Sequence, residues 1–289
     1  ATPGRALSTL PGAHWSALSP AAPLRYWRLV DLDERGGLTR APLHVSERIL
    51  HFLAGVAGLD ARLEGLVEPA PPQRHVPAVG NDREAGRAAY LLDSPEPPVV
   101  YLSGADSATH MSVAWGTAEK LGRRLFMLRA ADLPVDPVER HGLARLWERE
   151  ARLTGGLLLV EVDAGTREMA ACGAFLSEGG FPALVTADLP VPFPVRREVV
   201  RLAVELPPAS ERETAWRDAL GARGARLNGF VPARSAQFQL PLALIQAAAR
   251  DALAGLPENE PVVALEQRLW EACRRQGRPN LDDLAQRIE

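Results

Sequence analysis

Five short apolar runs, at 99–102, 125–128, 157–162, 183–186 and 199–204, lack the polar alternation of a half-exposed strand. Such runs are strands buried on both faces. The stretches between the first four, 110–121, 137–153 and 166–176, have the spacing of amphipathic helices. Strand and helix in alternation predict an α/β fold: a five-stranded parallel sheet with helices on both faces. A further helix is expected at 82–92, and the SPEPP string at 94–98 then forces an extended entry into the first strand.

On either side of this core the pattern changes. Residues 1–19 are small, rich in Pro and Ser, and predict a flexible arm. Residues 20–67 read as a small, mostly helical domain. Leu24, Tyr26, Trp27, Leu29, Val30 and Leu32 keep helical spacing, Gly36 and Gly37 break it, and 38–45 is extended. Ser46 stands as an N-cap before a helix at 49–56, with a shorter helix over 60–67. Residues 68–80, EPAPPQRHVPAVG, carry four prolines and read as a linker. From 207 to 289 only helical periodicity remains. One helix is capped at Ser210 and carries Trp216 and Leu220; others are expected at 240–253, 262–275 and 281–288.

Composition narrows the function classes. A net charge of −3 gives no electrostatic footprint for nucleic acid or an anionic membrane surface. No run approaches the roughly 18 apolar residues of a membrane span. Cys172 and Cys273 stand far apart and read as reduced thiols of a cytoplasmic protein. The six histidines show no metal-ligand spacing with cysteine or carboxylates, so no metal site is expected. The chain begins without Met and both ends look cut, as expected of one piece of a longer protein.

The chemistry-bearing stretch is the exit from the first strand. A phosphate-binding loop follows G-x-x-x-x-G-K-[ST] between strand and helix. Gly104 sits at the first glycine, but the last three positions are Thr109, His110 and Met111. Threonine does not take glycine's positive φ easily, histidine is shorter than lysine and largely neutral at pH 7, and methionine offers Mg²⁺ no oxygen.

Five strands followed by a helical lid resemble a AAA+ module, and three further positions bear on that likeness. The third strand ends Glu161-Val162-Asp163, where such modules carry Asp-Glu; valine can neither take a proton nor orient water. Thr186, closing the fourth strand, has the type of a γ-phosphate sensor. Arg196 and Arg197 precede the fifth strand, near where AAA+ subunits offer an arginine to a neighbour. The strings PLRYWRLV at 23–30, SERILHFLAGV at 46–56, ADLP at 131–134, LWEREA at 146–151, WRDAL at 216–220 and LDDLAQRI at 281–288 resemble the N-terminal region of bacterial two-module AAA+ ATPases found beside contractile injection systems.

That resemblance implies a helical domain plus a degenerate AAA+ module that does not itself hydrolyse ATP. It would bind protein partners or neighbouring subunits and need no cofactor. ATP and Mg²⁺ would belong to a second module of a parent chain, with a hexamer as the implied assembly. A nucleotide-binding sensor, or a weak NTPase with an atypical loop, is the alternative. Gly104, Thr109, His110, Met111, Glu161, Asp163 and Thr186 would form the degenerate site in either case. If the loop is a relic, restoring Gly, Lys and Thr at 109–111 should regain nucleotide binding.

Overall fold

Strands β4 (Val99–Gly104), β5 (Arg124–Arg129), β6 (Gly156–Val162), β7 (Ala183–Ala187) and β8 (Val199–Val204) run parallel, as their unbroken apolar sequences predict. The computed structural model describes residues 2–32, 41–71, 79–104, 106–162, 166–187, 194–227, 240–257 and 260–285. Among these the sheet has six strands, not five: β3 (Glu68–Pro69) adds antiparallel to β5, giving the order β3-β5-β6-β7-β4-β8. The sequence assigns this pair to a linker. Pro69 has no N–H to give a ladder, which suits it to a sheet edge, and the next residue's N–H bonds Leu125 O at 3.0 Å.

Helices cover both faces. Helices α4 (Val79–Leu92) and α5 (Ser107–Lys120) pack Ala85, Ala88, Val113 and Ala114 on Val100, Leu102, Leu157, Leu159 and Leu202. Helices α6 (Pro137–Thr154) and α7 (Thr166–Ser177) close the opposite face, where Trp147 and Phe175 meet Tyr101, Phe126, Leu158 and Val160. Trp147 stands edge-on to Phe126, ring centroids 5.3 Å apart, the arrangement aromatic quadrupoles favour. Asp136 caps α6 by accepting from Val138 N–H and Glu139 N–H, and Gly155 closes it at a left-handed φ of 66°.

A third core lies in the C-terminal helices α8 (Ala209–Leu220), α9 (Leu242–Leu253) and α10 (Val262–Ala285), around Trp216, Ile245, Leu265 and Leu269. Helix α10 runs through Gly277 and Pro279, where the sequence predicts two helices with a break. A proline inside a helix forfeits one backbone bond without always ending it. Helix α8 begins at Ala209, so Ser210 lies inside it and the N-cap position falls to Pro208.

The N-terminal part departs most from expectation. The supposed arm contains α1 (Pro3–Thr9), with Thr2 as N-cap and Pro3 at the first position, and a 3₁₀ turn, Trp15–Leu18, that buries Leu18. A cap and a proline start a helix too short to show periodicity. After α2 (Pro23–Tyr26), strands β1 (Val30–Leu32) and β2 (Leu43–Val45) form an antiparallel pair, leading into α3 (Glu47–Leu53). Ser46 precedes α3 as read, but its side chain accepts no capping bond.

This unit docks on α6 through buried charge. Arg149, 2% exposed, donates to Asp60, to Glu150 Oε1 at 3.0 Å and to Arg28 O at 3.0 Å. Arg48 Nε reaches Glu150 Oε2 at 2.9 Å, and Arg62 Nη2 reaches Asp60 Oδ2 at 2.8 Å. Arg28 takes a left-handed φ of 50°, and Gly142 makes room for its guanidinium: a Cβ there would lie 2.6 Å from a guanidinium nitrogen. One turn either side, Arg145 stacks on Tyr26 and Arg152 on Trp27. Leu63 and Val67 add apolar contact to the sheet-side core.

Burial alone would raise the Asp60 carboxyl pKa. Hydrogen bonds from the Arg62 side chain and N–H and from Arg149 outweigh it and hold the group far below the usual carboxylate range. A depressed carboxylate stabilises the fold above its unfolded pKa, about 4, and that contribution fades as pH falls through the folded value. Urea titrations should therefore show stability falling from about pH 4 downward. Asp60→Ala should lose ~1–3 kcal/mol at pH 7, because it removes one partner of the buried Arg149, which keeps Glu150 and Arg28 O, and the partner of the half-exposed Arg62, and should show a flatter acid limb.

Candidate functional site

The crossovers set where a ligand would sit. The chain leaves β4 through α5 on one face and returns from β5 to β7 through α6 and α7 on the other. Open α/β sheets bind ligands outside the carboxyl ends of their strands where the winding reverses. Here that place is the end of β4, the site the sequence points to.

The local structure there is not a phosphate cradle. Gly104 has φ +95° and lies against β8, where a Cβ would come within 2.5 Å of Val204 O. Glycine is thus required by close approach of the edge strand. Only residues 105 and 106 separate Gly104 from α5, whose first residue is Ser107. The sequence puts the helix start at residue 110, three residues later. Asp106 explains the difference. As N-cap, its Oδ1 accepts from Thr109 N–H at 2.9 Å, and the Thr109 hydroxyl reaches the same carboxylate at 3.2 Å.

A helix N-terminus attracts an anion through its unpaired N–H groups and dipole. In this chain a carboxylate already takes that role. Thr109, His110 and Met111 are 2%, 3% and 6% exposed, so they belong to the interior rather than to a solvent-facing loop. Met111 packs in the α4–α5 core. Lys120, the one lysine of the sequence, stands at the far end of α5, about 20 Å along the axis, and pairs with Asp82 at 2.8 Å.

Register brings two other expected residues close. Leu102 pairs with Thr186 and Thr186 with Glu161 across β4, β7 and β6. Alternation along the strands puts Glu161 and Thr186 on the α5 side of the sheet. Gly104, Glu161, Thr186 and the start of α5 thus share one edge. Val162 points the other way, 3% exposed, into the α6–α7 core. Asp163 lies outside the described residues.

The arginines sit elsewhere. Arg196 and Arg197 precede β8, at the amino edge of the sheet, opposite Gly104. Arg197 is not free to reach a neighbour. Its guanidinium donates to the carbonyls of Pro97, Gly179 (2.9 Å) and Phe181 (3.0 Å), and burial lowers its pKa. It ties the end of α7 to the entries of β4 and β7. Arg196 is exposed, and its N–H bonds Ser177 Oγ at 2.9 Å.

A hollow of about 380 Å³ opens at the carboxyl ends of β5 and β6, lined by Ala130, Leu133, Arg140, Arg167 and Glu168. It does not include Gly104 or α5. Among the described residues no group of His, Cys, Asp and Glu could hold a metal ion. None of their helices is long and apolar enough to cross a membrane.

Residues 208–279 match the model of the contractile injection system ATPase helical domain. The match falls on the C-terminal helices and supports a contractile-injection-system-type AAA+ ATPase region, the family the sequence resembles. Of solved structures, that of Caenorhabditis elegans PCH-2 is 10% identical, covering 68% of this chain and 67% of its own, with a TM-score of 0.42. A Rhizobiales Trip13 structure is 17% identical, covering 73% of this chain and 97% of its own, with a TM-score of 0.43. No curated protein matches the chain.

Asp106 is the residue that motif reading overlooks, although an Asp just before a helical run is an N-cap signal. Asp106→Ala should lower stability by ~1 kcal/mol. Thermal unfolding followed by circular dichroism, with Asp106→Asn retaining most of the wild-type stability, checks this.

Proposed function

We propose that the chain is a non-catalytic regulatory and scaffolding part of a AAA+ ATPase that remodels or assembles protein complexes. In this role it holds protein partners or neighbouring subunits while a separate module hydrolyses ATP. The observation that carries the proposal is the Asp106 carboxylate at the N-terminus of α5, where a nucleotide would need a phosphate. Two like charges cannot share that turn cheaply, and the N–H groups a phosphate needs lie within a helix that starts at Ser107.

The loss extends to the other reacting groups. Met111 replaces the hydroxyl that would ligate Mg²⁺, and Val162, in the place of a water-orienting glutamate, is turned into the core. A module without those groups can still transmit force and present surfaces, because its three packed cores survive intact. The family match at 208–279 supports only the AAA+ setting of this reading.

Isothermal calorimetry with Mg·ATP is the direct test. No heat beyond dilution up to millimolar nucleotide is expected; micromolar binding would overturn the proposal in favour of a nucleotide sensor. Against the expectation from the loop pattern alone, restoring Gly, Lys and Thr at 109–111 should not recover binding while Asp106 remains, since all three positions are buried and the turn keeps its anion.

A further inference from the structure

The N-terminal unit exposes a run of apolar side chains. Leu50 is 52% exposed, Leu53 75% and Val56 52%, and residues 51–58 all lie open to solvent. Exposed apolar side chains grouped within a few residues of one another are the mark of an interaction site. It is not an unfinished core, because the same helix anchors itself through buried Arg48 to Glu150.

Acid borders the patch. Glu47, Leu50 and Leu53 follow one another at three-residue steps along one side of α3, so a carboxylate begins the ridge that the leucines continue. Beside it lies a hollow of about 460 Å³ whose lining includes Asp31, Glu47, Asp60 and Glu64. Asp60 is consumed by Arg62 and Arg149. The side chains of Asp31 and Glu47 are 53% and 87% exposed, and Glu64 is also exposed. Of the basic groups lining the hollow, Arg48 is committed to Glu150, Arg62 bonds Asp60 while standing 4.0 Å from Asp31, and His51, a cation only when protonated, stands 3.9 Å from Glu47. The rim is therefore net acidic.

We infer that this tip docks a cationic amphipathic helix of a partner protein, its apolar stripe on Leu50, Leu53 and Val56 and its Lys or Arg residues on Glu47, Glu64 and Asp31. Charge decides between occupants. An anionic lipid surface is repelled by the rim. A second copy of the chain, placed by a two-fold axis, would set one net-acidic patch against another of the same sign. A basic helix satisfies both parts of the surface. This partner chemistry rests on the partner-binding role proposed above, but its test does not depend on nucleotide.

The probe is a fluorescein-labelled 18-residue peptide of Leu and Arg with leucines on one helical face, read by anisotropy against the whole chain. A Leu/Glu peptide with the same stripe is the control. The Leu/Arg peptide should bind at least tenfold more tightly than the control and weaken as salt rises. Leu50→Ser with Leu53→Ser, and separately Glu47→Lys with Glu64→Lys, should each cut affinity at least tenfold. All four positions are exposed, and an unchanged thermal midpoint verifies the fold. Absence of binding, equal binding of both peptides, or affinity that survives either pair of substitutions overturns the inference. So does a dimer in sedimentation equilibrium that Leu50→Ser with Leu53→Ser dissociates, which would assign the patch to a second copy. Failure here with no ATP heat leaves the scaffold role standing; ATP binding with intact peptide capture removes only the scaffold role.

Discussion

Asp60 and Glu150 meet the buried guanidiniums of Arg48 and Arg149, with Arg62 half-exposed at the rim, and the placement of the N-terminal unit depends on that meeting. Glu150 is fully buried and Arg149 nearly so. Charges in such a place tolerate little displacement, because each lost partner leaves a desolvated ion. Helix α6 thus serves two masters. Leu143, Leu146, Trp147 and Ala151 face the sheet core, while Gly142, Arg145, Arg149 and Arg152 receive the N-terminal unit.

The same economy of contacts governs the carboxyl edge. A phosphate loop works by leaving N–H groups unsatisfied until the ligand arrives. Here Asp106 satisfies one of them permanently, and Gly104 is held by its contact with Val204. The strand–turn–helix frame survives because the sheet needs the crossover. The cradle does not, because nothing in the turn requires an anion from outside.

The core of the fold was legible because its strands are apolar on both faces. The predicted limits of β5 to β7 fall within one residue of the observed ones, and those of β8 coincide. What escaped were features that short or long-range contacts create. The Glu68–Pro69 strand exists only because β5 offers a partner, and α1 rests on a cap and a proline. At the site, Gly104, Glu161 and Thr186 fall along one edge because register follows from the parallel ladder. Sequence misjudged the helix start, because the motif template drew attention to 109–111 and away from Asp106. It also misjudged Arg197, whose carbonyl partners come from segments up to 100 residues away.

The short β3 strand has a consequence for how copies of this chain can associate. A sheet that ends in a long, flat strand offers a template on which another chain can crystallise. This one ends on that side in two residues, one of them a proline that cannot donate. Such an edge disfavours growth of continuous sheet outward. Copies that meet past β3 would do so through side chains rather than through a shared backbone ladder.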